Sequence, residues 1–553
     1  MKTPVVSLVS ALMLCGMALQ AVSQNPDAAL RINVTNYGAI GDDEKDDTVA
    51  IQTAINAANA GDTIFIPDGI YKISRAITSR SDLKIQGESQ AGTVVEFSGK
   101  ESFTMIDLAN LSNVEITTLT LDGKLKSLAN GIFATNGGGH KIHFITIRNL
   151  AYSGFGPHGI LFEGNAEWKQ AVNHSLLSDN TFSHIGVKSE WGAAIRFANG
   201  SSHNQALRNT ITHTGRGGIL ANNGATDLTI SGNSITGIGK VAEGLSIEVH
   251  TECNRALIED NTVEHWISLD KTNNSAIRRN SISSNKVDDW KYAGLELAGG
   301  SNNIFTDNQV NQGAKLGISI SVDYPKEYVF WGRNTISGMA DWGAQLQGEA
   351  TGLGYHYFYK NSFSNTYRNH TQSTYKNQGH GFRVNGNSHH VTLEENAIKG
   401  NEGFGVEFSG KGIDQFTFIN NVLTDNKQGA ITAYPGTDLQ WSGNHVANNK
   451  SNIVPSSPGF NNSAIPTADF KVHTSIKVHQ PVEFINFSVS NNSGGSIAHV
   501  LWDLGQGLPS TEKNPTHTYT APGTYRVTLI VWDEKGRAAR KEQLIKVAAA
   551  SGR

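Results

Sequence analysis

Two cysteines in 553 residues are too few to staple a chain of this length, and one of them, Cys15, sits in an apolar leader. Cys253 is left alone, so burial and hydrogen bonding must hold the fold, and a lone thiol in that setting reads as an inert turn or core residue rather than a nucleophile. Charge is scarce too, at 17 % of residues with a net of −4 at pH 7. That leaves no basic footprint for nucleic acid and no polybasic patch for a membrane surface. Beyond the leader, no apolar run is long enough to span a bilayer. What the chain has in excess is glycine, 58 residues, together with many asparagines. Those residues suit a turn-rich β protein better than a helical one. At this length the expected arrangement is one long body built around a continuous repeat core, plus a small module.

Residues 1–23 carry Lys2, an apolar core from Val5 to Leu19 and a small-residue ending, Ala21-Val22-Ser23. This pattern reads as a secretory signal cleaved before Gln24, which predicts a secreted or periplasmic protein. The bulky Leu14 before Cys15 argues against a lipid anchor.

Between Leu111 and Val454 an asparagine followed two residues later by an apolar residue recurs at Asn180, Asn209, Asn233, Asn261, Asn280, Asn308, Asn334, Asn361, Asn396, Asn421 and Asn444, at intervals of 19–35 residues. Each repeat has the same grammar: a glycine, an apolar-x-apolar strand, a variable turn, a second strand ending at the asparagine, and a short third strand. That is a solenoid. The asparagines are expected to hydrogen-bond from coil to coil and to take the left-handed conformation of tight turns, as a structural ladder outside any site. Longer segments at Glu163–Asn173, Lys286–Ala293, Val322–Trp331 and His356–Gly379 contain or adjoin Trp168, Trp290, Tyr292, Tyr324, Tyr328, Trp331, Tyr355, Tyr357 and Tyr367. Aromatic faces suit stacking against sugar rings, although any one of them packs more readily under its own loop.

Upstream, Asp46 or Asp47 can cap a helix with Ile51, Ala54, Ile55 and Ala58 on one side, followed by a strand, Thr63–Ile66, and a Pro67-Asp68-Gly69 turn. With Tyr37-Gly38-Ala39, Asp46-Asp47-Thr48 and Gly69-Ile70-Tyr71, this segment resembles the N-terminal cap of the pectate-lyase-like superfamily. The resemblance implies an all-β, right-handed single-stranded parallel β-helix with an N-terminal cap helix, and a substrate groove along its first sheet. It implies no single activity, since pectate lyases, polygalacturonases, alginate epimerases, other glycan hydrolases and phage tailspikes share this opening. The polygalacturonase motifs are absent apart from a partial echo in Pro157-His158-Gly159, and the epimerase signature is missing as well. Near the C-terminus, Trp502-Asp503, His517-Thr518-Tyr519 and Gly523-Thr524-Tyr525 resemble a PKD domain, an immunoglobulin-like sandwich, with Gln506 where that family usually carries an acid. A spacer or attachment role is what this resemblance implies. The expected divisions are a signal at 1–23, cap and first coils at 24–110, the β-helix body at 111–454, a linker at 455–466 and the PKD-like sandwich at 467–549.

The stretch 244–300 concentrates the chemistry. Three strand-like runs begin at Leu245, Ile267 and Leu295. Alternation turns Leu245, Ile247, Ile267, Leu269, Leu295 and Leu297 inward and puts Glu248, Asp270 and Glu296 on one exposed face. Aligning the runs by their first apolar residue stacks Glu248 on Asp270 with Cα atoms roughly 5 Å apart and leaves Asp270 and Glu296 roughly 8 Å apart. Crowded carboxylates repel, so they call for a chemical use, a bound cation or a solvated arrangement. Glycoside hydrolysis by paired carboxyls, on a polysaccharide substrate and by a monomer, is the leading expectation, with Glu248, Asp270 and Glu296 catalytic and without a cofactor. Its rival is β-elimination on a uronic acid polymer, pectate-like or alginate-like, assisted by Ca²⁺ near the same three carboxylates, with Lys271, Arg196 or Arg383 as base or charge clamp. In a regular strand Lys271 points away from Asp270, which counts against its use. A non-catalytic glycan-binding β-helix is the third reading. Substrate-binding positions expected along the stripe are Arg196, Asn222, His250, Trp290, Tyr292, Asp323, Gln345, Glu349 and Arg383.

Overall fold

The computed structural model describes residues 29–151, 156–241, 244–283, 293–312, 315–321, 324, 326–367, 379–436, 438–452, 464–473 and 475–550. The expected leader, Trp290, Tyr292 and Asp323 lie outside the described residues, as does the side chain of Glu349.

A coil is built from three short strands. One turn of the helix runs through Gly217–Asn222 on the first sheet, Thr229–Ser231 on the second and Ser234–Thr236 on the third, and the next begins at Ile247–His250. Each strand pairs in parallel with its counterpart one coil on, and the third sheet is a continuous stack of 15 strands from Gly69–Ile73 to His445–Ala447. Alternation points every second residue inward, so Ile195, Ile219, Ile247, Ile267, Leu295 and Ile318 stack as one fully buried column. Burying each aliphatic side chain contributes about 1.5–3 kcal/mol. The expected all-β, right-handed parallel β-helix is present.

The asparagine ladder runs unbroken from Asn180 to Asn444. Each side-chain amide donates to the Oδ1 of the next asparagine and to a carbonyl of the preceding coil, as Asn308 does to Asn334 (2.9 Å) and to the Ile277 carbonyl (2.9 Å). Its Oδ1 accepts from both the backbone and the side chain of Asn280. The left-handed residue is not the asparagine, as the sequence suggested, but the one before it: Asp179, Arg208, Asp260, Arg279, Asp307 and Arg333 all have φ between 53° and 58°. The asparagine side chain is thereby turned inward, where its amide answers backbone groups that water cannot reach. A buried group stranded without a partner costs about 1–3 kcal/mol. Asn308→Ala is therefore expected to destabilise the protein by about that amount. It should lower the denaturant midpoint at an unchanged m-value.

At the N-terminus a helix, Thr48–Ala57, closes the first coil with Ile51, Ala54 and Ile55 buried. Asp47 is the N-cap; Asp46 just before it accepts from the Thr48 N–H (3.0 Å), while the buried Asp47 side chain ties the helix start to Ile40 and Lys72 by accepting from their N–H groups. Among the described residues no helix is long and apolar enough to cross a membrane.

Beyond the β-helix stands a sandwich. Phe470–Val472, Pro481–Asn486 and Thr516–Thr518 form one sheet, and Ile476–Lys477, Ala538–Ala548, Gly523–Asp533 and Ile497–Asp503 the other. Trp502 and Tyr519 fill its core, and the Tyr519 hydroxyl donates to the Leu504 carbonyl at 2.9 Å. Gln506 closes its turn by donating to the Thr520 hydroxyl and accepting from the Thr520 N–H.

Candidate active site

The outer face of the first sheet carries two polar columns. One reads Arg196, Leu220, Glu248, Ser268, Glu296, Ser319, Gln345, Arg383 and Glu407 from coil to coil, and the neighbouring one contains Asn222, His250 and Asp270. Glu248, Asp270 and Glu296 therefore share one face, but Glu248 lies opposite Ser268, and Asp270 opposite His250. The expected stacking of Glu248 on Asp270 is corrected by one pleat. Regular pairing starts at Ile247, not Leu245, which packs outside the core with Trp266 and Ala293. Glu248 and Asp270 are then diagonal, with Cα atoms roughly 8 Å apart.

Each carboxylate has its own partner. Glu248 accepts from Arg216 through both oxygens, at 3.2 and 3.1 Å. Asp270 holds His250 Nε2 at 2.7 Å, and the other imidazole nitrogen, Nδ1, meets the Thr251 hydroxyl at 2.8 Å. Glu296 accepts from the Trp266 indole and the Ser268 hydroxyl, both at 2.7 Å. Both His250 and Glu296 hold a proton more tightly than usual, for different reasons. The Asp270 hydrogen bond raises His250 above its ordinary value, with Asp270 and Glu248 charge adding to it against burial and Lys271. Burial raises the Glu296 carboxyl, helped by the charges of Glu248 and Asp270, against its two hydrogen bonds.

Cations cluster beside the imidazole. Arg196 donates to Asn222 (3.0 Å), directly opposite His250 in the next coil, and its other arm meets His158 Nε2 at 3.2 Å. Burial holds His158 neutral, pushing it down to about 3, and the Arg196 charge adds to that. Arg216 is covered by the Trp191 ring at 5.1 Å. Lys271 departs from expectation: the strand ends at Asp270, Lys271 takes φ 51°, and its ammonium lies 3.8 Å over the Tyr324 ring rather than being turned inward. Farther along, Arg383 pairs with Glu407 (2.9 Å) and lies 4.7 Å over Trp342, with Gln345 one coil below.

The Ca²⁺ expectation does not fit this geometry. The described residues hold no group of three or more His, Cys, Asp or Glu able to hold a metal ion, and the three carboxylates are spent on separate partners. The aromatic expectation is also narrowed: Trp331 is a core residue stacked on Phe305 and Phe358, and Tyr328 and Tyr355 stack on each other away from the groove. His158, Arg216 and Trp266 are members of the site that sequence reasoning missed. Arg216 and Trp266 sit in turns just before a strand, outside the alternating register, and Trp266 is swung outward by a left-handed φ of 57°.

Family models match the chain in three places: "Rhamnogalacturonase A/epimerase, pectate lyase-like" at 31–245, "Right handed beta helix region" at 193–363 and 265–499, and "PKD domain" at 463–548. Among curated proteins, mannuronan C5-epimerase AlgE3 of Azotobacter vinelandii is 26 % identical over 230 residues, covering 35 % of this chain and 12 % of its own. A microbial collagenase of Vibrio alginolyticus is 29 % identical over 134 residues, 24 % of this chain and 16 % of its own. The chain thus spans less than a fifth of either relative's length. Among solved structures, the A-module of A. vinelandii mannuronan C-5 epimerase AlgE6 is similar with a TM-score of 0.38 at 16 % identity, covering 77 % of this chain and all of that one.

Proposed function

The chain belongs to the pectate-lyase-like right-handed parallel β-helix proteins and carries a C-terminal PKD domain, and from that premise we propose an exported carbohydrate-active enzyme that removes the proton beside the carboxylate of a uronic acid polymer. The observation that carries this reading is the His250–Asp270 pair set beside the Arg196 and Arg216 guanidiniums on the groove floor. Similarity to proteins named mannuronan C5-epimerases, over about a third of the chain, supports uronate chemistry over hydrolysis.

Asp270 holds Nε2–H and leaves His250 Nδ1 as the basic nitrogen, which the Thr251 hydroxyl meets. Nδ1 takes the proton on the carbon next to the carboxylate. Negative charge then develops on that carboxylate, where guanidiniums fixed by Asn222, His158 and Glu248 stabilise it without a metal. The imidazolium returns the proton to the leaving glycosidic oxygen in elimination, as the C–O bond breaks and the ring double bond forms. In epimerisation Glu296, which burial shifts toward its acid form, protonates the opposite face of the same carbon.

The hydrolase reading keeps the raised Glu296 carboxyl as an acid and the diagonal carboxylate spacings of roughly 8 Å that suit inversion, and loses the close Glu248–Asp270 pairing that retention requires. A panel of uronate and neutral polysaccharides separates the readings. Unsaturated or epimerised uronates are expected. New reducing ends on neutral glycans alone would replace this proposal with hydrolysis, and no product from any polymer would leave a glycan binder.

The pH profile carries a sign. His250 must be neutral to act as base, and its pKa is raised in the groove, so activity should rise with pH through a value above 6.5. Asp270→Asn removes the largest cause of that rise. It should move the acid limb of kcat/KM to lower pH while lowering its plateau.

A further inference from the structure

We infer that the outer face of the second sheet is a dedicated docking surface whose partner is the chain's own PKD domain, which stays seated as a permanent wall of the body instead of serving as a tethered spacer. The signature lies in one outward column of that sheet. Apart from a single Leu176 flanked by Lys141 and Gln205, it is apolar only through the five consecutive coils of Leu257, Ala276, Ile304, Phe330 and Tyr357. It turns polar on both sides, at Gln205 and Thr229 before and at Thr392 and Thr417 after. A solvated sheet face in a solenoid has no reason to switch character for five coils. Ile304 and Phe330 are completely buried and Tyr357 is 2 % exposed.

What buries them is the four-stranded sheet of the PKD domain. Its run Leu529-Ile530-Val531-Trp532 is apolar on both faces, which marks a strand covered on both sides. Leu529 and Val531 point into the sandwich core, whereas Ile530, Trp532 and Leu501 join Ile304, Phe330 and Tyr357 in one cluster. Uncovered, such a patch is an association liability.

Charges cross the interface in both directions. Arg278 of the β-helix, 2 % exposed at its side chain, lies 3.5 Å from Asp503 of the PKD domain, and Arg333 lies 3.1 Å from Glu542. In return Arg540 of the PKD domain donates to Glu394 at 3.0 Å and lies 3.4 Å over the Tyr359 ring. Glu394 also accepts from the Tyr357 hydroxyl at 2.7 Å, which couples the ionic and apolar parts. Each buried cation is answered by an acid on the other domain, so separation would break several charge-assisted contacts at once.

The test keeps the full chain and places a specific protease site between residues 453 and 463. After complete cleavage the two halves are expected to co-elute in gel filtration at the uncut mass. Arg540→Glu and Trp532→Ala should each lower the co-eluting share of PKD domain at least tenfold, and pairing Glu394→Arg with Arg540→Glu should restore it. Separation of the cleaved wild-type halves would overturn the inference, as would full co-elution of both single variants.

Discussion

His250→Ala is expected to lower turnover on a uronic acid polymer by about 10²–10⁴-fold, the usual worth of a positioned general base. The loss should fall on kcat more than on KM, because the imidazole does its work as the proton moves, while the guanidiniums and the rest of the stripe still bind the polymer. His250 is also a safe position to vary. Its side chain is 42 % exposed on the outer face of the sheet, and the inward neighbours Ile247 and Val249 carry the packing of that strand. Retained turnover in a variant with an unchanged melting temperature would remove the base from the account.

Arg196→Ala is the second large effect, an expected loss of about 10²–10³ in kcat/KM from removing one preorganised donor to a developing anion. Arg196→Lys should recover little. The guanidinium is held at two edges, by Asn222 through Nε and by His158 through a terminal nitrogen, and an ammonium cannot span both. Burial pushes Arg196 down, and the flanking Glu163 and Glu248 oppose that, so the guanidinium remains charged where substrate arrives. A neutral polymer should show no such dependence on Arg196. An equal loss on neutral and uronate substrates would point to structural damage instead of a clamp.

The asparagine ladder was legible because a solenoid repeats its constraints: the same backbone groups need the same amide in every coil, and Asn180 to Asn444 could be read off by spacing alone. Its backbone detail was not, since the left-handed residue is whichever one precedes the asparagine, and Arg208, Lys360 and Glu395 give no turn signal. The acidic stripe was found on the correct face, yet one pleat out of register at Glu248. Two apolar-x-apolar starts, Leu245 and Ile247, satisfy alternation equally, and only pairing with Trp266 and Ile267 separates them. Arg216 and Trp266 escaped, and Lys271 was aimed the wrong way, because period-two reasoning ends where the strand does, and turn residues are aimed by single φ angles. The PKD domain itself was plain in the sequence. Its seat was not, because a five-coil apolar column becomes visible only once the coils are in register.

The central claim is that this groove moves a proton at the carbon beside a uronate carboxylate. The most direct measurement is mass spectrometry of oligouronates incubated with the protein in D₂O. Deuterium gained in intact chains, or unsaturated uronates at new chain ends, is the predicted result, and His250→Ala should abolish both. Saturated fragments with new reducing ends and no deuterium on carbon would contradict the account and return the site to hydrolysis through Glu296.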